Sequence, residues 1–309
     1  MSENAVLSQN VTHYRKGEQK SETGTMSQIV EYKSPEGTGG SLGMVGIWFN
    51  TNRESPEIAK VVLARQNQRL MLRAYGVKDG TVTDWGETDA IPHASPDKPG
   101  EVTGFEATFE TGGIKRHLAA NLKLGVLVIQ CYNHTGSGGQ GSYFTREFFH
   151  QQIQNAAEGA SAHAGDIAVG TGPRCSKAGD WLMTGTQPPT TTIDLNCYLG
   201  IWRNTCRHTQ FASHIELLRD IDGYLVRGYG IDAPADWGAV PAIAYADEVG
   251  SQQAAGFFAD YDFGFMDMRL AANFNKGLLI IAAYNRFKDG SGRANYFTRE
   301  FFYDDRQPV

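Results

Sequence analysis

Two carboxylates, Asp260 and Asp262, flank Tyr261 in the second half of the chain. On a β-strand such neighbours share a face, so the pair could exchange protons with a substrate or take a cation; a solvated strand face gives the same pattern. The spacing fits no calcium loop. A guanidinium and a phenol recur at the same separation in Arg73-x-Tyr75 and Arg227-x-Tyr229. Facing inward they would offer a cation and a hydroxyl to a ligand; facing outward they would solvate a wall. Trp237, in Asp236-Trp237-Gly238, could stack on a ligand at a cavity mouth or cover its end beside an Asp-held turn. Tyr132 and Tyr284 can reach the same space. Asn50 and Asn204 carry amides that need partners if buried, from the backbone, water or a ligand. Glu147 and Glu300 read as exposed or paired across strands.

Other chemistries lack their signatures. His208 and His214 have no companion such as HExxH, and no Walker loop, Rossmann fingerprint or GxSxG is present, so neither metal nor cofactor is expected. Gly136-Ser137-Gly138-Gly139 reads as a hairpin turn rather than a phosphate cradle. Net charge is −6 with scattered basic residues, which disfavours nucleic acid. The start, MSENAVLSQN, is not a secretory signal, and no apolar run approaches ~20 residues. Four cysteines without a CxxC pair suggest reduced thiols in a cytoplasm-like compartment.

The elements that must position these residues come in two copies. Gly46-Ile47-Trp48 returns as Gly200-Ile201-Trp202, Asp84-Trp85-Gly86 as Asp236-Trp237-Gly238, LAAN at 118–121 at 270–273, and YFTREFF at 143–149 unchanged at 296–302. Within each copy the period is two, with Gly and Asp/Asn at the joins, predicting an all-β fold of eight antiparallel strands per copy. The expected strands lie near 44–50, 57–65, 69–77, 84–91, 102–110, 114–123, 125–133 and 142–150. Their matches lie near 198–204, 213–220, 223–231, 236–244, 254–262, 265–274, 277–285 and 294–303. Eight such strands close naturally into an up-and-down barrel with room for one small ligand. The expected division is a polar arm over 1–42, barrel one over 43–150, a tether with a possible short helix over 151–195, and barrel two over 196–309.

The duplicated Gly-x-Trp-x-Asn, with an Arg in the last strand, resembles the calycin superfamily of lipocalins and avidins. That resemblance implies that Trp48 and Trp202 close the barrel floors with Arg146 and Arg299 packed over them. It also implies that Asn50 and Asn204 point inward to a ligand.

These readings leave three classes. A cofactor-independent cyclase or isomerase would fold an apolar small molecule in the cavity; a lipocalin-like carrier would only bind it; a lectin-like or scaffold module would use both copies for avidity. The copies agree at structural positions and differ in polar ones, which favours one specialised cavity and leans to catalysis. Asp260, Tyr261 and Asp262 point to the second copy, with Asp260, Asp262 and Tyr229 as acid–base groups. The contacts expected for the ligand come from Asn204, Arg227, Trp237, Tyr261 and Tyr284, with Asn50 and Tyr75 as first-copy equivalents. No membrane span is expected, and an oligomer is possible.

Overall fold

In a computed structural model the described residues are 43–78, 80–135, 141–152, 193–232 and 235–306, with only the backbone described at 98 and 99. The expected arm, the short helix of the tether and the turn at Gly136–Gly139 lie outside them. The described residues belong to one compact unit and form an all-β structure of seventeen strands in one sheet.

The first half holds β1 (Gly46–Asn50), β2 (Ile58–Gln66), β3 (Arg69–Lys78), β4 (Thr81–Ser95), β5 (Lys98–Thr111), β6 (Ile114–Lys123), β7 (Val126–Thr135) and β8 (Tyr143–Gln151). Each pairs antiparallel with the next, and β8 pairs back onto β1, with Asn50 opposite Phe149. The second half holds β9 (Gly200–Asn204), β10 (Ala212–Asp220), β11 (Gly223–Gly230), β12 (Asp236–Pro241), β13 (Ile243–Ala246), β14 (Ala254–Asp262), β15 (Met266–Asn275), β16 (Leu278–Phe287) and β17 (Tyr296–Asp304). Here β17 returns to β9, with Phe302 opposite Asn204.

The seventeenth strand comes from a corner. In the first half β4 runs unbroken while changing partner at Ala90, from β3 to β5. In the second half the matching segment divides at Ala242: β12 pairs with β11 and β13 with β14.

Alternation of side chains sets the interior. Along β3, Leu70, Leu72 and Ala74 are buried, and along β11, Tyr224 and Val226 are. Each half surrounds its own apolar core, containing Trp48, Phe105 and Phe149 in the first and Trp202, Phe257 and Phe302 in the second. Burying such side chains stabilises the fold by roughly 1.5–3 kcal/mol each. Near the start of β4 and of β12 a bulge turns Trp85 and Trp237 towards these cores: Gly86 and Gly238 adopt φ of +86° and +82°. The backbone N–H of each donates to Asp84 or Asp236, at 2.8 and 2.9 Å. The Asp of Asp-Trp-Gly thus fastens a bulge. Room for the indoles comes from absent side chains, since a Cβ on Gly76 would lie 2.2 Å from Trp85 and one on Gly228 2.1 Å from Trp237.

A third apolar cluster, with Ala119, Tyr132, Phe144, Tyr245, Phe258 and Tyr284, joins the halves. Its contacts are reciprocal. Tyr132 donates its hydroxyl to the carbonyl of Ala272 at 3.2 Å and Tyr284 to that of Ala120 at 3.3 Å. One-residue parallel bridges tie Ala246 to Tyr143 and Ala94 to Tyr296. Among the described residues no helix is long and apolar enough to cross a membrane.

Candidate active site

Matched positions of the two halves agree in most of the interior and disagree at one end of the first core. Counting from the shared segments, Glu57, Arg116 and Cys131 stand where the second half has Phe211, Met268 and Ala283. Glu57 precedes β2, Arg116 lies near the start of β6, Cys131 lies on β7, and Tyr143 and Glu147 lie on β8. The antiparallel ladders β6–β7 and β7–β8 set β6 to β8 side by side, and the loop after β1 brings Glu57 onto them.

The Tyr143 hydroxyl donates to Glu57 Oε2 at 3.3 Å. Burial first, and then the negative charge of Glu147, raises the Glu57 pKa to about 7, against the lowering effects of the Tyr143 hydrogen bond and the Arg116 charge. At neutral pH this carboxyl can both give and take a proton. Burial also raises the pKa of Glu147, opposed by hydrogen bonds from Ser55, Asn50 and the Ile58 N–H. Arg116 lies over the Trp85 ring at 4.6 Å and donates to the Thr111 carbonyl and hydroxyl at 3.0 and 2.6 Å. Three buried polar atoms facing this end lack partners: Arg116 Nε, Asn133 Nδ2 and Thr145 Oγ1. Buried polar atoms are ordinarily satisfied, so this end offers hydrogen bonds to a guest. The Cys131 thiol sits beside it, its pKa pushed well up by burial, and is a poor nucleophile there. Among the described residues no cluster of His, Cys, Asp and Glu could hold a metal.

The residues singled out in the sequence are placed differently. Asp260 and Asp262 lie on the outer face, paired with Arg269 at 2.7 Å and Lys288 at 2.6 Å. Parity explains it: Tyr261 between them takes the inward position, and its hydroxyl is used up on the carbonyls of Val226 and Gly238, at 2.9 and 3.3 Å. Arg227 and Tyr229 are outward too, because Val226 and Gly228 fill the inner positions. Arg227 pairs with Asp236, and Tyr229 stacks on His214 with centroids 4.1 Å apart. Tyr75 is likewise outward, under Lys60 at 4.0 Å. Trp237 packs into the second core between Phe211, Tyr261 and Phe263. Tyr284 is in neither interior but in the join of the halves.

Asn50 and Asn204 do point inward, yet their amides are spent locally. Asn50 Nδ2 donates to the Ile58 carbonyl at 2.7 Å and Glu147 at 3.0 Å, while its oxygen accepts from the Asn52 N–H at 2.8 Å. Asn204 repeats this with Ala212, Glu300 and the Cys206 N–H. These asparagines tie the first loop to the last strand. Trp48 and Trp202 fill the interior and donate to the carbonyls of Met44 at 2.8 Å and Tyr198 at 2.9 Å. Arg146 and Arg299 do not pack over them. Because Phe149 faces Asn50 across the β1–β8 ladder, Glu147 is inward and Arg146 outward, the reverse of the calycin expectation.

A second asymmetric group lies in the join. His117 Nε2 is 3.0 Å from Glu106 Oε1, and His93 Nε2 is 3.2 Å from Oε2 without hydrogen-bond alignment. Arg269 of the second half approaches the same carboxylate at 3.5 Å. Burial works to raise the Glu106 pKa, but the His117 hydrogen bond and the nearness of His93 overcome it and hold the carboxylate ionised. The matched residues in the other half are Tyr245, Phe258 and, for His117, Arg269 itself. An open surface groove of about 550 Å³ lies elsewhere, beside Ser142, Asp222, Tyr224 and Pro241. Asp220 lines it as well, and its Tyr224 phenol is engaged with Asp194.

Sequence reasoning passed over Glu57, Arg116, Glu106 and the meeting of His93 with His117. The signal was present: each is a polar residue at an inward or join position whose match in the other copy differs. No known family profile matches the chain, and no curated protein matches it.

Proposed function

We propose that the protein is a cofactor-independent acid–base enzyme, an isomerase or cyclase acting on a mostly apolar small molecule at the Glu57 end of the first core. The observation that carries this reading is the half-buried Glu57 carboxyl with a pKa of about 7, hydrogen-bonded to Tyr143 and facing Arg116. In the reaction Glu57, ionised, removes a proton from carbon next to a substrate carbonyl. Arg116 stabilises the enolate oxygen, and Glu57 returns the proton to another carbon, leaving substrate and product with the same atoms. The apolar surroundings strengthen these charges by excluding water. Each half is read as a duplicated calycin-like eight-stranded barrel, supported by the return of β8 to β1 and of β17 to β9. The first works and the second, with Phe211 and Met268 in place of the acid and the cation, supports it.

A second reading, small-molecule binding without turnover, is favoured by the aromatic lining of Phe211, Trp237, Tyr261 and Phe263 in the second half. Mass spectrometry of compounds that co-purify under native conditions supplies the ligand class for the test. With that compound, turnover should show a pH limb near 7 that disappears in Glu57→Gln. Turnover unaffected by Glu57→Gln refutes the catalytic assignment, and tight binding without turnover in either form establishes the carrier.

A further inference from the structure

YFTREFF is the longest stretch that both halves carry unchanged. Its inward residues have duties inside each half: Glu147 holds the first loop, Phe149 fills the core, and Glu300 and Phe302 repeat both roles. Arg146 and Phe148, with Arg299 and Phe301, stand on the opposite face, so interior packing does not account for their identity. Arg146 lies over the Phe148 ring at 5.2 Å and Arg299 over Phe301 at 5.8 Å. Phe148 and Phe301 are 42% and 36% exposed, so the outer face of each ring is open to a guest.

Neither arginine forms an ion pair with a carboxylate among the described residues. Arg146 Nε is buried with no acceptor. Both arginines border the join: Arg146 lies opposite Gln130, whose amide crosses to Asn273 at 2.8 Å, and Arg299 lies opposite Ala282 of the third cluster. Two half-buried cations at one join, neither with an acceptor for its N–H groups among the described residues, are unfavourable until an anion joins them. A dianionic oxyanion answers both charges and accepts from planar guanidinium forks.

We propose that Arg146 and Arg299 form an oxyanion site across the join, which takes the phosphate of a phosphorylated small molecule while Phe148 and Phe301 offer ring faces to its organic part. The site is separate from Glu57 and stands whether or not that end is catalytic.

Calorimetric titration of the full-length chain with inorganic phosphate and with phenyl phosphate, at constant ionic strength in chloride, tests it. The expected result is saturable binding of one phosphate per chain, with phenyl phosphate at least threefold tighter. Arg146→Gln and Arg299→Gln should each weaken binding at least tenfold. Arg146→Lys, which keeps the charge but loses the fork, should fall between. Phe148→Ala should remove the preference for phenyl phosphate. Absence of saturable binding, or equal affinity in wild type and both glutamine variants, overturns the site. Equal affinity for the two probes overturns the aromatic part of the proposal. Melting curves of each variant identify any that fail to fold, in which case Arg146→Lys decides.

Discussion

Replacing Glu57 by Gln isolates the proton on which the catalytic reading rests. Glutamine keeps the size and an oxygen to accept from Tyr143, but it cannot ionise. In the folded chain Glu57 titrates at about 7 against an ordinary 4.5. Between those values the folded state holds a proton that the unfolded state has released, so this group's stabilising contribution is full below pH 4.5 and is lost as pH rises through 7. At 1.36 kcal/mol per pKa unit the loss amounts to ~3 kcal/mol, and solvent at the exposed edge of the carboxyl trims it towards ~2 kcal/mol. Unfolding in guanidinium chloride at a series of pH values from 5 to 8.5 reads it directly. Glu57→Gln should gain on wild type by ~2–3 kcal/mol across that range, or on the order of 4–12 °C in Tm. Stability curves that stay parallel to within about 0.5 kcal/mol would refute an elevated pKa for Glu57, and with it the acid–base site.

Gly228→Ala should destabilise the second half by ~1–3 kcal/mol through overpacking, because its Cβ would fall 2.1 Å from Trp237; red-shifted tryptophan emission should accompany the lower Tm. Trp48→Ala and Trp202→Ala should each cost ~3–5 kcal/mol in denaturant titrations, with the folded fraction keeping its turnover. Glu106→Ala should cost ~3–5 kcal/mol, since it leaves Arg269 and the two histidines without their carboxylate. That contribution is present above the unfolded carboxylate pKa and is lost as pH falls through the depressed folded value, so the gap between wild type and Glu106→Ala should narrow steadily as pH is lowered below 4.

The strands were legible in the sequence because alternation and turn residues act locally: the expected segment 114–123 is β6 as it stands. Less legible was which side of the last strand faces in. Arg146 and Glu147 are neighbours, and period two permits either; the ladder with β1 decides it, which is a long-range fact. Asp260 and Asp262 drew notice as a carboxylate pair, but their parity was fixed by Tyr261, whose bulk belongs in the core. The join was beyond reach, since nothing in Tyr132 or Tyr284 alone announces that each will reach a carbonyl of the other copy. Glu57 and Arg116 lay between these cases. A strand pattern tolerates either residue, and only reading the copies against each other shows Phe211 and Met268 in the apolar role.

The reciprocal bonds at the join bear on what this architecture can become. Two separate identical chains meeting across a two-fold axis must present the same patch to each other, so any charge placed there appears on both sides at once. Here both sides are written in one chain, and each can change without changing the other. Glu106 and His117 meet Arg269 and Phe258, and His93 packs on Tyr284, a pairing of unlike partners that self-association could not produce. Covalent linkage has given this contact the freedom of a heterodimer while fixing its stoichiometry at one to one.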